Sequence, residues 1–242
     1  MKTVLLLGGM TPDVTVLYYN IINRVVRAQL GGRHGAPLYL YSADLEAMIQ
    51  HLGRGDVEAF ARTYTDPIAA LASRVDAVVI CAILAHKVAA QIRASLPAGV
   101  SLIHIADVLA SHVKARYPGV RRLGLLGPKA TMLGGAEPDF FVAPLQAPEH
   151  GFEVLVPETE EAIEEVNRGM LEEVAKGAAA VTPETKAMFV EQARSLVRRG
   201  AQAIVLGSTD LGFVLTQEDV GEMPVIEPAA VHAEHVGLWV CQ

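Results

Sequence analysis

Hydroxyl, carboxylate and imidazole groups stand directly after two apolar runs of this chain. Ser208-Thr209-Asp210 follows Ala203-Ile204-Val205-Leu206-Gly207, and Ala82-Ile83-Leu84-Ala85-His86 follows Ala77-Val78-Val79-Ile80-Cys81. A Ser or Thr hydroxyl among backbone N–H groups can hold a carboxylate or stabilise an enolate, while His86 or Asp210 can move a proton. Two more loops, Gly8-Gly9-Met10-Thr11 and Gly127-Pro128-Lys129-Ala130-Thr131, set glycine beside a hydroxyl, a pattern suited to a small carboxylate. The chain contains neither GxGxxG nor GxxxxGK[ST], which argues against a nucleotide. The candidate catalytic residues are therefore Ser208, His86 and Asp210, with Gly9, Met10, Thr11, Ala82, Ile83, Leu84, Thr131 and Thr209 as candidate substrate contacts. The competing reading of each single loop is structural: glycines for tight turns, Thr11 as a helix cap, and lone polar residues as caps or solvated surface. His34, in the turn after Gly31-Gly32-Arg33, is open to both readings, and the apolar or helical contexts of His104 and His232 favour structural roles.

These loops belong to a pattern that occurs twice. Val4-Leu5-Leu6-Leu7-Gly8 returns as Leu123-Gly124-Leu125-Leu126-Gly127, and Ala77–Ala82 returns as Ala203–Ser208. Strand-length runs at about 3–8, 37–42, 77–82 and 101–105 alternate with helical stretches, and the order repeats near 122–127, 152–156, 203–208 and 224–226. Helices are expected near 158–176, 183–200 and 210–216. Between Val14 and Leu30 the spacing of Val14, Leu17, Ile21, Val25 and Ala28 predicts one helical face. Such alternation predicts two doubly wound α/β units with mainly parallel sheets. Ligands of such sheets bind beyond the carboxyl ends of the strands. The doubled pattern predicts one cleft where Ala82 and Ser208 meet as counterparts. Tyr117-Pro118-Gly119 and Gly221–Pro224 are candidate boundaries, giving a first domain of 1–117 joined by 222–242 and a second of 118–221; Gly134-Gly135-Ala136-Glu137-Pro138 reads as a loop.

Composition narrows the class. The 242 residues can bury a full core in one large or two smaller domains. Hydrophobic residues make up 51% and charged residues 19%, but the apolar runs are strand-length, too short to span a membrane. The net charge is -7 and the 20 basic residues are dispersed, which argues against nucleic acid. Cys81 and Cys241 are the two cysteines and form no metal-ligand spacing, so neither a disulfide framework nor a metal site is expected. Lys2 leads straight into a strand rather than a signal-peptide pattern, and a cytoplasmic location is expected.

Taken in order, these residues resemble the aspartate/glutamate racemases, amino-acid racemases that use no cofactor. The resemblance rests on Gly8-Gly9-Met10-Thr11 with Tyr18-Tyr19, Leu30-Gly31-Gly32-Arg33-His34, Tyr41-Ser42-Ala43-Asp44, Ala85-His86-Lys87-Val88, His104-Ile105-Ala106-Asp107, Leu126-Gly127 with Thr131-Met132, and Leu206-Gly207-Ser208-Thr209. It implies two pseudo-symmetric α/β domains, a C-terminal segment returning to the first, a site between them and a homodimer. It also implies two-base chemistry, in which one thiol removes the α-proton and a second group, usually another thiol, protonates the opposite face. The first thiol position of that pattern reads Cys-Asn-Thr-x-His, with Thr replacing Cys in one subgroup; here it is Ala82-Ile83-Leu84-Ala85-His86. The second reads Gly-Cys-Thr and here is Gly207-Ser208-Thr209. Pro12-Asp13 and Glu227-Pro228 also depart from the family's residues. Cys81 lies one residue early, where strand alternation turns it away from the cleft.

The expected function is thus a racemase-superfamily enzyme acting on a small carboxylic acid by proton transfer or enolate-type chemistry, namely isomerisation, elimination, decarboxylation or cyclisation, without the two-thiol mechanism. The alternatives are a catalytically silent binding protein for a small acid and an amino-acid racemase that has recruited Cys81.

Overall fold

The structure is a computed structural model in which residues 1–134 and 139–242 are described. The remaining positions of the Gly134–Pro138 loop signal, 135–138, lie outside the described residues. In chain order the elements are β1 (Val4–Gly8), α1 (Pro12–Leu30), β2 (Leu38–Ser42), α2 (Leu45–Gly53), α3 (Val57–Leu71), β3 (Ala77–Ile80), α4 (Ala89–Ser95), β4 (Ser101–Ile103) and α5 (Ile105–Arg116). They continue with β5 (Arg122–Leu126), α6 (Lys129–Met132), α7 (Val142–Gln146), β6 (Glu153–Leu155), α8 (Glu160–Glu172), α9 (Pro183–Arg198), β7 (Ala203–Leu206), α10 (Gln217–Val220), β8 (Val225–Ile226) and α11 (Pro228–Val240).

The expected α/β class and the doubled pattern are both present. β1–β4 form a parallel sheet of order β2-β1-β3-β4, and β5–β8 form a parallel sheet of the same relative order, β6-β5-β7-β8. The registers fix the correspondence between repeats. Leu7 lies opposite Ile80 as Leu126 lies opposite Leu206, and Val79 lies opposite Ile103 as Val205 lies opposite Ile226. Two compact units result, Met1–Val108 with Ala229–Gln242, and Leu109–Pro228. Chain passes between them within α5 and at the start of α11, whereas the turn signals lie at 117/118 and 221/222.

In the first unit strand alternation sorts the core into two layers. Leu5, Leu7, Val78 and Ile80 pack with Met48, Phe60, Tyr64 and Ile92 from the side of α2, α3 and α4. Val4, Leu6, Ala77, Val79 and Cys81 pack with Tyr18, Ile22, Val26, Val108, Ala233 and Val236 from the side of α1, α5 and α11. With both faces covered, each strand is apolar throughout rather than alternating. The buried face of α1 runs through Val14, Thr15, Tyr18, Ile21, Ile22 and Val26. This corrects the expected stripe: Leu17 and Ala28 are exposed and Val25 is half-buried, while Tyr18, which reaches His232 of α11, and Ile22 and Val26 are buried.

The second unit repeats the scheme. Leu123, Leu125, Leu126 and Ala203–Leu206 are buried with Phe189, Ala193 and Leu196 of α9 and Val166 and Met170 of α8. Thr159 and Thr182 cap α8 and α9, accepting the N–H groups of Ala162 and Thr185. Two expected helices are altered. The one expected at 158–176 is α8, ending at Glu172 and followed by a 3-10 turn at Val174–Lys176. The one expected at 210–216 is a short 3-10 segment, Thr209–Phe213. Among the described residues no helix is long and apolar enough to cross a membrane.

Candidate functional site

At the end of β1 the chain turns sharply. Gly9 has φ +98°, and a Cβ there would stand 2.2 Å from the backbone of Ala43, so only glycine fits beside the end of β2. The Gly9 N–H donates to Thr15 Oγ1 at 3.0 Å, and that hydroxyl donates to the Thr11 carbonyl at 3.2 Å. The Gly9 N–H is thus spent on Thr15, a residue that sequence reasoning missed although it faces Gly9 from the first turn of α1. Met10 is buried in the core. Thr11 occupies the N-cap position of α1, yet its side chain makes no capping bond. Its hydroxyl, half-buried at the strand end, is therefore not explained by capping.

At the end of β3, Ala82 and Leu84 are half-buried and Ile83 is buried. His86 is 1% exposed. Its Nδ1 lies 2.8 Å from the carbonyl of Ala82, and its Nε2 lies 3.3 Å from the N–H of Ile105. A carbonyl can only accept and an N–H can only donate, so Nδ1 carries the proton and Nε2 accepts. Burial is the main cause of its lowered pKa, about 4. Neither ring nitrogen is left for a substrate, which corrects the expected proton-transfer role: His86 is a positioning residue tying the ends of β3 and β4 together. The same logic settles the tautomer of His232, whose Nε2–H donates to Ile103 O at 3.0 Å while Nδ1 accepts the Tyr18 hydroxyl at 2.9 Å. His104 Nδ1 accepts the Ala106 N–H at 3.2 Å, and its ring lies 4.6 Å from that of His86. Both nitrogens of His232 and Nδ1 of His104 are thus bonded within the first unit.

Cys81 continues the ladder, donating its N–H to Leu7 O at 2.9 Å. Its side chain packs in the layer of Ala77 and Val79, opposite to that of Val78 and Ile80. Burial pushes the thiol pKa far up, so the group stays protonated and apolar in character.

In the second unit two glycines allow β5 and β7 to close at their carboxyl ends. A Cβ on Gly127 would meet Gly207 C at 2.8 Å, and the Gly207 N–H donates to Leu126 O at 2.6 Å. Thr131 folds over this junction, its methyl against Gly207. Thr131 is 1% exposed, and its Oγ1 is a buried side-chain oxygen without a hydrogen-bond partner among the described residues. Ser208, Thr209 and Asp210 follow, all half-buried, and the Ser208 side chain does not cap the 3-10 segment it precedes. The second unit thus brings Thr131 to the Gly207 that precedes Ser208, Thr209 and Asp210.

Sequence reasoning noted Glu227 only as a departure and did not count it among the site residues. It follows β8 directly, and its carboxyl carbon would lie 3.1 Å from a Cβ on Gly212. It forms no hydrogen bond or ion pair with the described residues. Although the residue is exposed, partial burial of its carboxyl group raises the pKa. The repeat itself carried the signal: Glu227 stands where His104 stands in the first unit.

Comparison with known proteins follows the same line. The Asp/Glu/Hydantoin racemase family profile matches residues 7–236. Among solved structures, the chain is similar to a candidate Asp/Glu racemase from Yersinia pestis, with a TM-score of 0.88, 32% identity and complete coverage of both chains. It is also similar to an aspartate racemase homologue from Pyrococcus horikoshii OT3, with a TM-score of 0.80, 26% identity and complete coverage of both chains. An aspartate racemase from Picrophilus torridus shares the fold with a TM-score of 0.64 at 18% identity, over 98% of this chain and 94% of that one. With four-stranded parallel sheets of one topology in both halves and a match over nearly its whole length, this chain belongs to the Asp/Glu/hydantoin racemase family.

Proposed function

We propose that this protein is an enzyme that binds a small carboxylic acid at its strand ends and acts on it by proton transfer through an enolate-like intermediate, without a pair of thiols. The observation that carries the reading is the Thr131 hydroxyl, buried at the junction of β5 and β7 without a partner among the described residues. An unsatisfied buried hydroxyl costs about 1–3 kcal/mol, and such a cost is retained where a ligand supplies the missing partner. Thr131, Ser208 and Thr209 supply hydroxyl donors for a carboxylate in the second unit, and Thr11 supplies one at the matching end of the first.

The resemblance implies a thiol at each of two positions, and in this reading Ala82 and Ser208 stand at them. Ala82 has no exchangeable proton, and Ser208 is a weak base without an activating neighbour. The buried, protonated state of Cys81 speaks against its recruitment as a base. Half-buried Ala82 and Leu84 make the strand end of the first unit apolar, where a carboxylate without a partner costs several kcal/mol, and this favours an acid with an apolar side chain. The reading includes a homodimeric state and the isomerase or lyase class, taken from family resemblance, and a cytoplasmic location, taken from the N-terminal sequence. The second reading, a silent binding protein for the same acids, keeps the hydroxyls and omits turnover.

Calorimetric titration with butyrate against succinate and valerate against glutarate tests the binding half. The monocarboxylates are expected to bind more tightly, with Thr11→Val and Thr131→Val each weakening them about tenfold or more. Tighter binding of the dicarboxylates, or unchanged affinity in both variants, would contradict it.

A further inference from the structure

The registers that align the two sheets also align two pairs of residues. Val79 pairs with Ile103 as Val205 pairs with Ile226, so His104 and Glu227 each take the position after the fourth strand. Ile80 corresponds to Leu206, so His86 and Gly212 each stand six residues after the third. In the first unit these positions touch as two imidazoles 4.6 Å apart, with His86 Nε2 and His104 Nδ1 both accepting backbone N–H groups at the start of α5. In the second unit the same contact is made by a glycine and a carboxylate. Gly212 leaves its side-chain space to Glu227, whose carboxyl carbon and two oxygens lie 3.1, 3.3 and 3.3 Å from the position a Cβ would take.

The two pairs differ in what they leave unused. Both ring nitrogens of His86 and Nδ1 of His104 are bonded to backbone, whereas α11 opens with Pro228, which has no N–H to offer the carboxylate. Glu227 is left with no hydrogen bond or ion pair to the described residues, against the 3-10 segment that Ser208 precedes. β7 and β8 are adjacent parallel strands, so Glu227 and Ser208 emerge at the same edge of the sheet, the edge where ligands of such sheets bind. A solvent-reachable carboxylate whose pKa is raised by partial desolvation suits a general base better than one fixed in an ion pair.

We propose that Glu227 is the proton-transferring group of the second unit, in the role that a thiol at position 208 would otherwise fill. This rests on the small-acid reading above. The Glu227 carboxylate takes the α-proton of the bound acid: the C–H bond breaks, an O–H bond forms, and the electron pair passes into the substrate carboxylate as an enediolate. The proton on the carboxyl oxygen exchanges with solvent, and delivery of a solvent-derived proton or deuteron re-forms the bond to the α-carbon and regenerates the carboxylate. With a single base, delivery is to the face the proton left, so exchange proceeds with retention of configuration.

The test follows α-proton loss by NMR in deuterated water for L-leucine, L-2-aminobutyrate, L-phenylalanine and L-aspartate. The full-length wild type is compared with E227Q and E227D, and calorimetry on the same acids records binding. The expected result is exchange by the wild type, a loss of about 100-fold or more in E227Q at unchanged affinity, and partial recovery in E227D. Wild-type exchange retained in E227Q would overturn the role of Glu227 and leave the small-acid enzyme standing. Binding without exchange in the wild type would also overturn it, in favour of a silent binding protein. Absence of binding by all four acids would remove both this proposal and the reading beneath it.

Discussion

Nε2 of His86 accepts the backbone N–H of Ile105 at 3.3 Å, joining the loop after β3 to the start of α5. The bond requires a neutral ring with its proton on Nδ1. The pKa of His86 falls from an ordinary 6.5 to about 4 on folding, so its contribution to stability is complete above pH 6.5 and is lost as pH falls towards 4. His232 is lowered in the same direction, chiefly by burial, with His86, His104 and Arg93 around the cluster. Thermal melts between pH 7 and 4 are expected to show a steep loss of Tm over this window, with His86 alone accounting for about 3 kcal/mol. A flat Tm down to pH 4 would contradict the neutral, backbone-tied ring.

Thr15 holds the Gly9 N–H, and Thr15→Val leaves that donor without its acceptor while preserving side-chain shape. The expected loss is about 1–3 kcal/mol, read as a lower denaturant midpoint, whereas Thr15→Ser keeps most of the stability. Equal midpoints for Thr15→Val and wild type would show that the Gly9 loop does not depend on this hydroxyl.

Thr131→Val should separate stability from binding. Replacing a buried hydroxyl that has no partner among the described residues by a methyl removes a desolvation cost, so the ligand-free variant is expected to melt at or above the wild-type temperature. Butyrate should no longer raise its Tm, because the partner for the carboxylate is gone. A destabilised variant that still responds fully to butyrate would assign Thr131 to the core alone.

The two thiols are expected to differ sharply. Cys81 is buried and held protonated, while Cys241 lies partly open in the last turn after α11. Thiol titration of the native protein should count one fast-reacting group per chain, and Cys81→Ala should leave proton exchange unchanged. Two fast groups, or exchange lost with Cys81, would restore the thiol reading.

The sequence made the two sheets legible because a parallel sheet covered on both faces writes each strand as a continuous apolar run, and two copies reinforced one another. The edge of α1 was misread by one position, since Leu17 and Tyr18 are both apolar in pattern and only the partner at His232 decides which is buried. His86 was legible as a residue near a strand end but not as a spent one, because its bonds go to Ala82 and Ile105 backbone, which residue types do not reveal. Thr131 stood out from its loop, while its lack of a partner among the described residues is a matter of tertiary packing that residue types do not reveal. Glu227 was visible only as a mismatch until the register set it beside Gly212.

The most direct test of the central claim incubates wild-type protein in deuterated water with each of L-leucine, L-2-aminobutyrate, L-aspartate and L-glutamate, then resolves the recovered acids by chirality and deuterium content. The account predicts α-deuterium in an apolar acid recovered in its starting configuration, with no appreciable inversion of aspartate or glutamate. Recovery of deuterated D-aspartate or D-glutamate at enzyme-like rates would contradict it, because inversion requires acid–base groups on two faces.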